Sequence, residues 1–317
     1  MNDTPNAIEA TQQQRDEHPL LHKGQLLHAG RFRAETQYIT GNGFGQIWLG
    51  ADLASKDQEV IIKTELSDPA PDLQTLPIEA AALYHLNQQQ AKHVLPLLAD
   101  GIVQSTLRRI AYVVMPRAGP DLEQLQRSTE HGVFSRATAY RLAIQELSAI
   151  RSVHELGWLH RDIKPANFVL HPLLFEQGKL HLYLIDFGLS APFLRPDGTH
   201  VPKRDRVGFH GAPRWASLSA HALVDVSRRD DVWSALYVMI EHTNVLPWSH
   251  LSDIKQIEPV KRDTLPYLVH HRPALDTIYN TLLQTTHYQR PDYEKMLNAL
   301  RTDLQHLGVT DETYFET

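Results

Sequence analysis

The chain has 317 residues, 42% hydrophobic and 21% charged, with 16 glycines and 19 prolines, which excludes fibrous and low-complexity chains. Its 31 Lys and Arg residues are outnumbered by 37 Asp and Glu residues, and a net charge of −6 gives the whole molecule no electrostatic affinity for nucleic acid. The absence of cysteine excludes a disulfide framework, a cysteine nucleophile and a zinc ribbon.

Residues 1–29 are rich in Gln, Asn, Asp and Thr, which predicts a disordered tail and ordered structure from about Gly30. The N-terminus carries Asp3 and Glu9 and lacks the apolar core of a secretory signal. The longest apolar stretches, such as 94–99, are far shorter than the ~20 residues of a spanning helix. We therefore expect an intracellular protein without a membrane span, cytoplasmic or nuclear.

Residues 30–116 are predicted to form a small antiparallel β lobe with one helix. Polar or Gly-rich turns separate five runs typical of strands, at 31–39, 46–53, 59–64, 94–101 and 109–115. Short links between consecutive strands favour antiparallel pairing. The run 77–89 starts with Pro77 and is predicted to be the helix of this lobe.

The pattern changes to long helices after Gly119-Pro120, a pair that breaks regular structure. An apolar stripe at spacings of four and three predicts a helix at 138–156, and further helices are expected at 229–242, 274–285 and 292–306. The predicted fold class is α+β, with a β lobe at 30–116, a larger and mainly α lobe at 117–309 and a short C-terminal tail at 310–317.

Two short motifs carry the chemistry. Residues 159–167 read Leu-His-Arg-Asp-Ile-Lys-Pro-Ala-Asn, and residues 184–188 read Leu-Ile-Asp-Phe-Gly. Their order and the separation of Asp162 from Asn167 match the H-R-D-L-x-x-x-N and D-F-G motifs of protein kinases. The chain therefore resembles the protein kinases, and this resemblance implies a bilobed kinase fold.

The resemblance implies a role for each motif residue. Asp162 would orient the attacking hydroxyl and accept its proton, whereas Asn167 and Asp186 would hold the Mg²⁺ ions that bridge the ATP phosphates. Lys164 would contact the transferred phosphate, an arrangement that marks serine/threonine kinases. We therefore expect an enzyme that uses ATP and Mg²⁺ and phosphorylates Ser and Thr hydroxyls of protein substrates.

Two charged residues upstream complete the expected catalytic set. Val60-Ile61-Ile62-Lys63 is similar to the V-A-I-K strand of kinases, from which Lys63 would reach the α and β phosphates. Glu79 lies in the single helix predicted for the β lobe and would form the Lys–Glu ion pair that kinases need.

The expected nucleotide site departs from the kinase pattern in its glycine loop. Thr40 and Asn42 stand where the first two glycines of G-x-G-x-x-G belong, and only Gly45 is in register. The resemblance also identifies Met115 as a gatekeeper before the adenine-binding segment. The residues expected to contact the nucleotide are Ile39, Gly41, Gly43, Gly45, Ile47, Lys63, Met115, Pro116, Ala118 and Asp186.

Four further motifs resemble the casein kinase 1 superfamily, and within it the tau-tubulin kinases most closely. They are Ala-Gly-Pro-Asp-Leu at 118–122, Gly-Ala-Pro-Arg-Trp-Ala-Ser at 211–217, Arg-Arg-Asp-Asp-Val-Trp-Ser at 228–234 and Leu-Pro-Trp at 246–248. In this family the usual A-P-E glutamate is absent, so Arg290 needs another partner. Asp231 is expected to tie down the backbone of the catalytic loop.

Substrate preference is expected to depend on a basic activation segment. Its cations could bind acidic or already phosphorylated residues beside the acceptor, and a solvated charged loop is the alternative. These cations are Arg195, Lys203, Arg204, Arg206 and Arg214.

A pseudokinase or scaffold is the alternative function. Ala212 stands where the family has a threonine that helps to bridge the catalytic aspartate and lysine, and Thr40 and Asn42 add to the departures. The retained charged residues favour catalysis. A dinucleotide-binding protein is disfavoured because no βαβ unit accompanies the glycine loop.

Overall fold

The computed structural model describes residues 19–40, 45–67, 74–104 and 108–309. They form two compact units, and the first combines the residues up to Asn87 with Leu95–Arg117. The second combines Gln88–Val94 with the residues from Ala118 onward. The predicted boundary at residues 116 and 117 is close to this division, but Gln88–Val94 groups with the second unit. The predicted tail at 310–317 lies outside the described residues.

A six-stranded antiparallel sheet forms most of the described first unit. Its strands β1 to β6 are Leu26–Leu27, Phe32–Thr40, Gly45–Asp52, Gln58–Leu66, Ala99–Gln104 and Arg109–Pro116. Their order across the sheet is β1-β2-β3-β4-β6-β5. Helix α1, Leu76–Gln88, follows β4 in the chain.

One face of the sheet carries the apolar core of the first unit. Val60 and Ile62 of β4 are buried on this face with Trp48, as expected from the alternation of side chains along a strand. Leu20 and Leu21 join the same core. The prediction of disorder up to residue 29 is therefore wrong for the described part of that segment, because its leucines bury apolar surface in an otherwise polar sequence.

The second unit is mainly helical. Its helices α2 to α9 are Leu122–Ser128, Arg136–Glu155, Pro172–Glu176, Leu218–His221, Arg228–Glu241, Ile254–Val269, Pro273–Gln284 and Tyr293–His306. Helix α3 packs against α6 and α9 at the centre of the unit. With the sheet of the first unit, this architecture confirms the predicted α+β class.

Short strands of the second unit arrange its loops. They are β7 at Trp158–Leu159, β8 at Phe168–Leu170, β9 at Leu182–Leu184 and β10 at Ala191–Pro192. Strands β8 and β9 form an antiparallel hairpin, and β7 pairs with β10. These pairs fix the segments on either side of them, which contain the HRD and DFG motifs.

Helix α7 was not expected from the sequence, because it contains Pro259 and Pro266. Ile257, Leu265 and Val269 are nevertheless buried along one side of the helix. This packing stabilises a helix that local propensity opposes. None of the described helices is long and apolar enough to cross a membrane.

Candidate active site

Lys63 and Glu79 form a partly buried ion pair in the first unit. Lys63 is in β4, and Glu79 lies in the first turn of α1. The Lys63 Nζ is 2.7 Å from Glu79 Oε1 and 3.0 Å from Oε2, and the two side chains are 14% and 2% exposed. A buried carboxylate needs such a partner. The structure thus brings together the two residues that the sequence analysis paired.

Several of the predicted nucleotide residues lie in neighbouring strands. Ile47 in β3 is paired with Ile39 in β2 and with Lys63 in β4. Directly opposed residues share a face of a sheet, so Ile47 and Lys63 project from the same side. Met115 and Pro116 end β6 and pair with β4.

Only part of the glycine loop belongs to the described residues. Gly45 is the first residue of β3, and Thr40 is the last of β2. The predicted contacts Gly41 and Gly43, and the departure at Asn42, lie outside the described residues.

In the second unit, the β8–β9 hairpin brings the segments of Asn167 and Asp186 together. Asn167 directly precedes β8, and Asp186 follows β9 by two residues. The Ile185 N–H donates to the Asn167 carbonyl oxygen over 2.9 Å, so the two segments are hydrogen-bonded neighbours. Asp186 has a φ of +68°, a left-handed conformation that Asp adopts more readily than most residues.

Three donors bind the carboxylate of Asp162, which is 7% exposed. Lys164 Nζ donates to Oδ2 over 2.6 Å, and the backbone N–H of Ala212 donates to Oδ1 over 3.0 Å. Asn167 Nδ2 donates to the Asp162 carbonyl oxygen over 2.8 Å and lies 3.3 Å from Oδ2. These bonds fix the orientation of the carboxylate and keep one cation against it.

Glycine at position 211 lets the Ala212 N–H reach Asp162. Gly211 has a φ of +87°, and a Cβ there would lie 2.7 Å from the carbonyl oxygen of Arg161. A residue with a side chain would be strained in that conformation and would collide with this backbone. Although Ala212 lacks a hydroxyl, Lys164 and Asp162 bind each other directly.

Asp231 in α6 anchors the backbone of the catalytic loop. Its Oδ2 accepts from the N–H of His160 and its Oδ1 from the N–H of Arg161, both over 2.8 Å. Arg161 has a φ of +69°, and these bonds hold that strained conformation. Burial opposes ionisation, but the hydrogen bond with His154 Nε2, 2.8 Å away, keeps the pKa of Asp231 below its usual value.

The segment that follows β6 is held to the β8–β9 hairpin within the second unit. The Gly119 N–H donates to the Leu170 carbonyl oxygen over 2.8 Å, and a Cβ on Gly119 would lie 2.9 Å from that oxygen. This close approach requires glycine and fixes the chain directly after Ala118, the predicted adenine contact.

The basic activation segment is partly neutralised by acids of the second unit. Arg204 forms a bidentate ion pair with Asp225, with distances of 3.1 and 3.0 Å. Arg214 is bound by the buried Glu241, whose Oε2 also accepts from Trp215 Nε1 over 2.6 Å. Arg195, Lys203 and Arg206 are exposed and form no ion pair with a described carboxylate.

Arg290 has two acidic partners in place of the absent A-P-E glutamate. Its guanidinium lies 3.0 Å from Glu155 Oε1 and 3.0 Å from Glu294 Oε2. These contacts, that with Glu294 above all, raise the pKa of Arg290 above its usual value.

The sequence analysis missed the residues that hold the turn 212–216. Glu241 and Trp248 contact it through side chains, and Lys261 does so from α7. Their distance along the chain from the turn leaves no local pattern. Of these three residues, only Trp248 lies in a motif that the sequence analysis identified, Leu-Pro-Trp at 246–248.

Residues 43–300 match the family model of the protein kinase domain. A probable serine/threonine-protein kinase of Dictyostelium discoideum is 34% identical over 88% of this chain and 54% of its own length. A putative serine/threonine-protein kinase of Caenorhabditis elegans is 29% identical over 83% of this chain and 75% of its own. A putative casein kinase I of the same organism is 30% identical over 71% of this chain and 64% of its own length. The chain thus spans about half the length of the Dictyostelium relative.

Proposed function

Because the chain belongs to the protein kinase family, we propose that it is a serine/threonine protein kinase that transfers the γ-phosphate of ATP to hydroxyls of protein substrates. The relatives named as serine/threonine kinases support this proposal. The cytoplasmic location expected from the sequence stays a prediction.

The arrangement around Asp162 carries the proposal. Its carboxylate is held by Lys164, Ala212 and Asn167 and has the position in the HRD motif from which a kinase orients the acceptor hydroxyl. Asp162 would accept the proton of that hydroxyl as it attacks the phosphorus. Lys164 lies 2.6 Å from the carboxylate and would stabilise negative charge on the phosphoryl group during transfer.

The residues expected to hold ATP and Mg²⁺ fit these groups chemically. Asn167 and Asp186 offer the oxygen ligands that Mg²⁺ prefers, on two hydrogen-bonded segments. When bound, Mg²⁺ neutralises charge on the phosphates. Lys63, paired with Glu79, would contact the α and β phosphates. Main-chain groups of Pro116 and Ala118 would bind the adenine.

We also propose that the chain is a casein kinase 1-like kinase, similar to the tau-tubulin kinases. The four motifs of the second unit support this assignment, as does the relative named as a putative casein kinase I. Arg290 pairs with Glu155 and Glu294, an arrangement compatible with a kinase that lacks the A-P-E glutamate.

We propose acidic or phosphorylated substrates, but fewer cations of the activation segment are available to bind them than the sequence indicates. Arg204 and Arg214 are already paired, so the cations available to a substrate are Arg195, Lys203 and Arg206. Charge reversal at Arg206 should lower kcat/KM for an acidic peptide and spare a neutral peptide, whereas Lys179→Glu, at an exposed position outside the activation segment, should affect neither. Equal effects on both peptides would remove this substrate proposal.

A pseudokinase remains the alternative, and Ala212, Thr40 and Asn42 motivate it. The decisive experiment measures γ-phosphate transfer from Mg·ATP to casein and to the protein itself, with Asp186→Ala as the control. The kinase proposal expects transfer by the native protein and none by the variant. No transfer, together with no thermal shift on addition of Mg·ATP, would favour the scaffold.

A further inference from the structure

Lys261 is a lysine with no exposed surface, on helix α7. Its Nζ donates to the carbonyl oxygens of Pro213 and Ala216, over 2.8 and 2.6 Å. The third neighbour is Nε2 of His221, 3.2 Å away. Within the described residues Lys261 forms no ion pair with a carboxylate. The buried amine is therefore bound by carbonyl oxygens of one short turn and not by a carboxylate.

Aromatic faces complete the surroundings of this amine. The Nζ lies 4.6 Å from the ring centroid of Tyr237 and 5.5 Å from that of Trp248, distances at which the protonated form of the amine is attracted to both rings. Burial lowers the pKa of Lys261 to about 6, and burial together with the lysine charge lowers the pKa of His221 to about 4. The imidazole is therefore neutral at pH 7, and either form of the amine has hydrogens for both carbonyl oxygens.

The carbonyl groups that Lys261 binds belong to one hydrogen-bonded turn, 212–216. The N–H groups of Trp215 and Ala216 both donate to the Ala212 carbonyl oxygen over 3.0 Å. A third carbonyl of the turn is also bound, because Trp248 Nε1 donates to the carbonyl oxygen of Arg214 over 2.7 Å.

The same turn begins with the donor that binds the Asp162 carboxylate, the Ala212 N–H at 3.0 Å. A displacement of the turn would therefore move this donor. The same displacement would take the two carbonyl oxygens away from the Lys261 amine. They would then be unpaired in the protein interior, which is unfavourable by about 1–3 kcal/mol for each polar group.

We propose that Lys261 is a positioning residue of phosphoryl transfer, which with Trp248 holds the turn 212–216 by its carbonyl oxygens and so keeps the Ala212 N–H on Asp162. This inference rests on the proposed role of Asp162. Lys261 acts through the turn and does not contact the reacting groups.

The test compares Lys261→Met with the native protein, because methionine keeps an apolar stem of similar length and removes the donors. We expect kcat/KM for casein to fall about tenfold, the factor that corresponds to one net hydrogen bond. The KM for Mg·ATP should stay within about twofold, because the residues expected to bind the nucleotide are unchanged. Lys255→Met, at an exposed position of α7, is the matched control and should match the native protein.

Trp248→Phe is the second variant, since it removes one donor to the turn and retains an aromatic face. It should lower kcat/KM for casein in the same direction by a smaller factor, whereas Trp233→Phe, a partly exposed tryptophan of α6, should not. Circular dichroism and a Mg·ATP thermal shift verify that each variant is folded. If Lys261→Met does not fold, the Trp248→Phe kinetics decide the proposal.

Asp162→Asn, measured in the same assay, separates the two proposals. If Asp162→Asn is inactive while folded Lys261→Met and Trp248→Phe retain native kcat and KM for casein, the positioning role is wrong and the kinase mechanism stands. If Asp162→Asn retains full activity, the mechanism itself is wrong. A purely structural lysine would lower the melting temperature without changing kcat or KM of the folded protein.

Discussion

The two units hold their proposed catalytic charges in different ways. In the first unit, Lys63 and Glu79 are bound to each other by side-chain contacts of 2.7 and 3.0 Å. In the second unit, Asp162 is bound by a lysine, an amide and a backbone N–H, and the loop around it is anchored by Asp231.

The contacts in the first unit pair two opposite charges, whereas those in the second unit set the orientation of one carboxylate. The ion pair places a cation and a carboxylate of low exposure against each other. A network of two side-chain donors and one backbone donor fixes where Asp162 points, which matters for the proposed base because it must meet one hydroxyl. A change to the ion pair should therefore alter nucleotide binding, and a change to the network should alter the transfer step.

The largest expected effect tests the transfer side of this comparison. Asp162→Asn removes the base but retains an oxygen that can accept from the Ala212 N–H, so we expect a folded protein that transfers phosphate about 10²–10⁴-fold more slowly. Its thermal shift with Mg·ATP should equal that of the native protein. Asp205→Asn in the exposed activation segment is the control. Native turnover by Asp162→Asn would contradict the assignment.

The second prediction tests the nucleotide side. Lys63→Met and Glu79→Gln should each lower kcat/KM for ATP, the former by roughly 10- to 100-fold, the range for charge-assisted hydrogen bonds. The double variant should be no worse than Lys63→Met, because Glu79 acts through the lysine. Lys23→Met at an exposed position is the control. Additive losses in this double-mutant cycle would show that the two residues act independently.

The third prediction measures what the loop anchor contributes to stability. Asp231→Asn weakens two backbone bonds and the bond with His154, so the free energy of unfolding should fall by about 2 kcal/mol, within the range for hydrogen bonds to charged groups. Urea denaturation measures the change, and Asp276→Asn on an exposed site of α8 is the reference. An unchanged midpoint would mean that the positive φ of Arg161 needs no such anchor.

The fourth prediction is a pH dependence of stability near the turn 212–216. The pKa of His221 is lowered to about 4 by burial and by facing Lys261, and the ring of Phe209 also packs against it. As the pH falls, His221 is therefore protonated in the unfolded chain before it is protonated in the folded chain. The free energy of unfolding falls between about pH 6.5 and pH 4, by at most about 1.4 kcal/mol per pH unit.

His221→Gln should flatten this part of the stability profile, and His250→Gln at an exposed position should leave it unchanged. Thermal unfolding at several pH values measures the slope. An identical slope in His221→Gln and the native protein would contradict the shift. The pKa of Lys261, lowered to about 6, acts in the same direction at higher pH.

Much of the fold follows from local patterns. The apolar stripe predicts a helix at 138–156, and α3 spans Arg136–Glu155. The prediction for β5 is less accurate, since the strand runs over Ala99–Gln104 instead of 94–101. Val94 and Leu95 before it are buried without strand pairing to β6, and Pro96 interrupts the run.

The proposed catalytic groups are likewise predictable from the sequence because kinase motifs are short and contiguous. What the sequence hides depends on long-range contacts. Lys261 occupies a core position of α7, where a hydrophobic residue would have indicated a helix, and the prolines obscure that helix further. Arg214 looks like a free cation in the sequence, but Glu241, 27 residues away, neutralises it.

The chain passes between the two units more than once, which limits how this protein can be dissected. Gln88–Val94 belongs to the second unit, although residues on both sides of it belong to the first. A fragment ending at Arg117 would take His93 and Val94 with it and leave the Leu184 N–H without its acceptor, the His93 carbonyl oxygen. Halves of the gene divided at that point would thus make poor split-protein pairs, and the DFG-bearing half would lose a partner of β9.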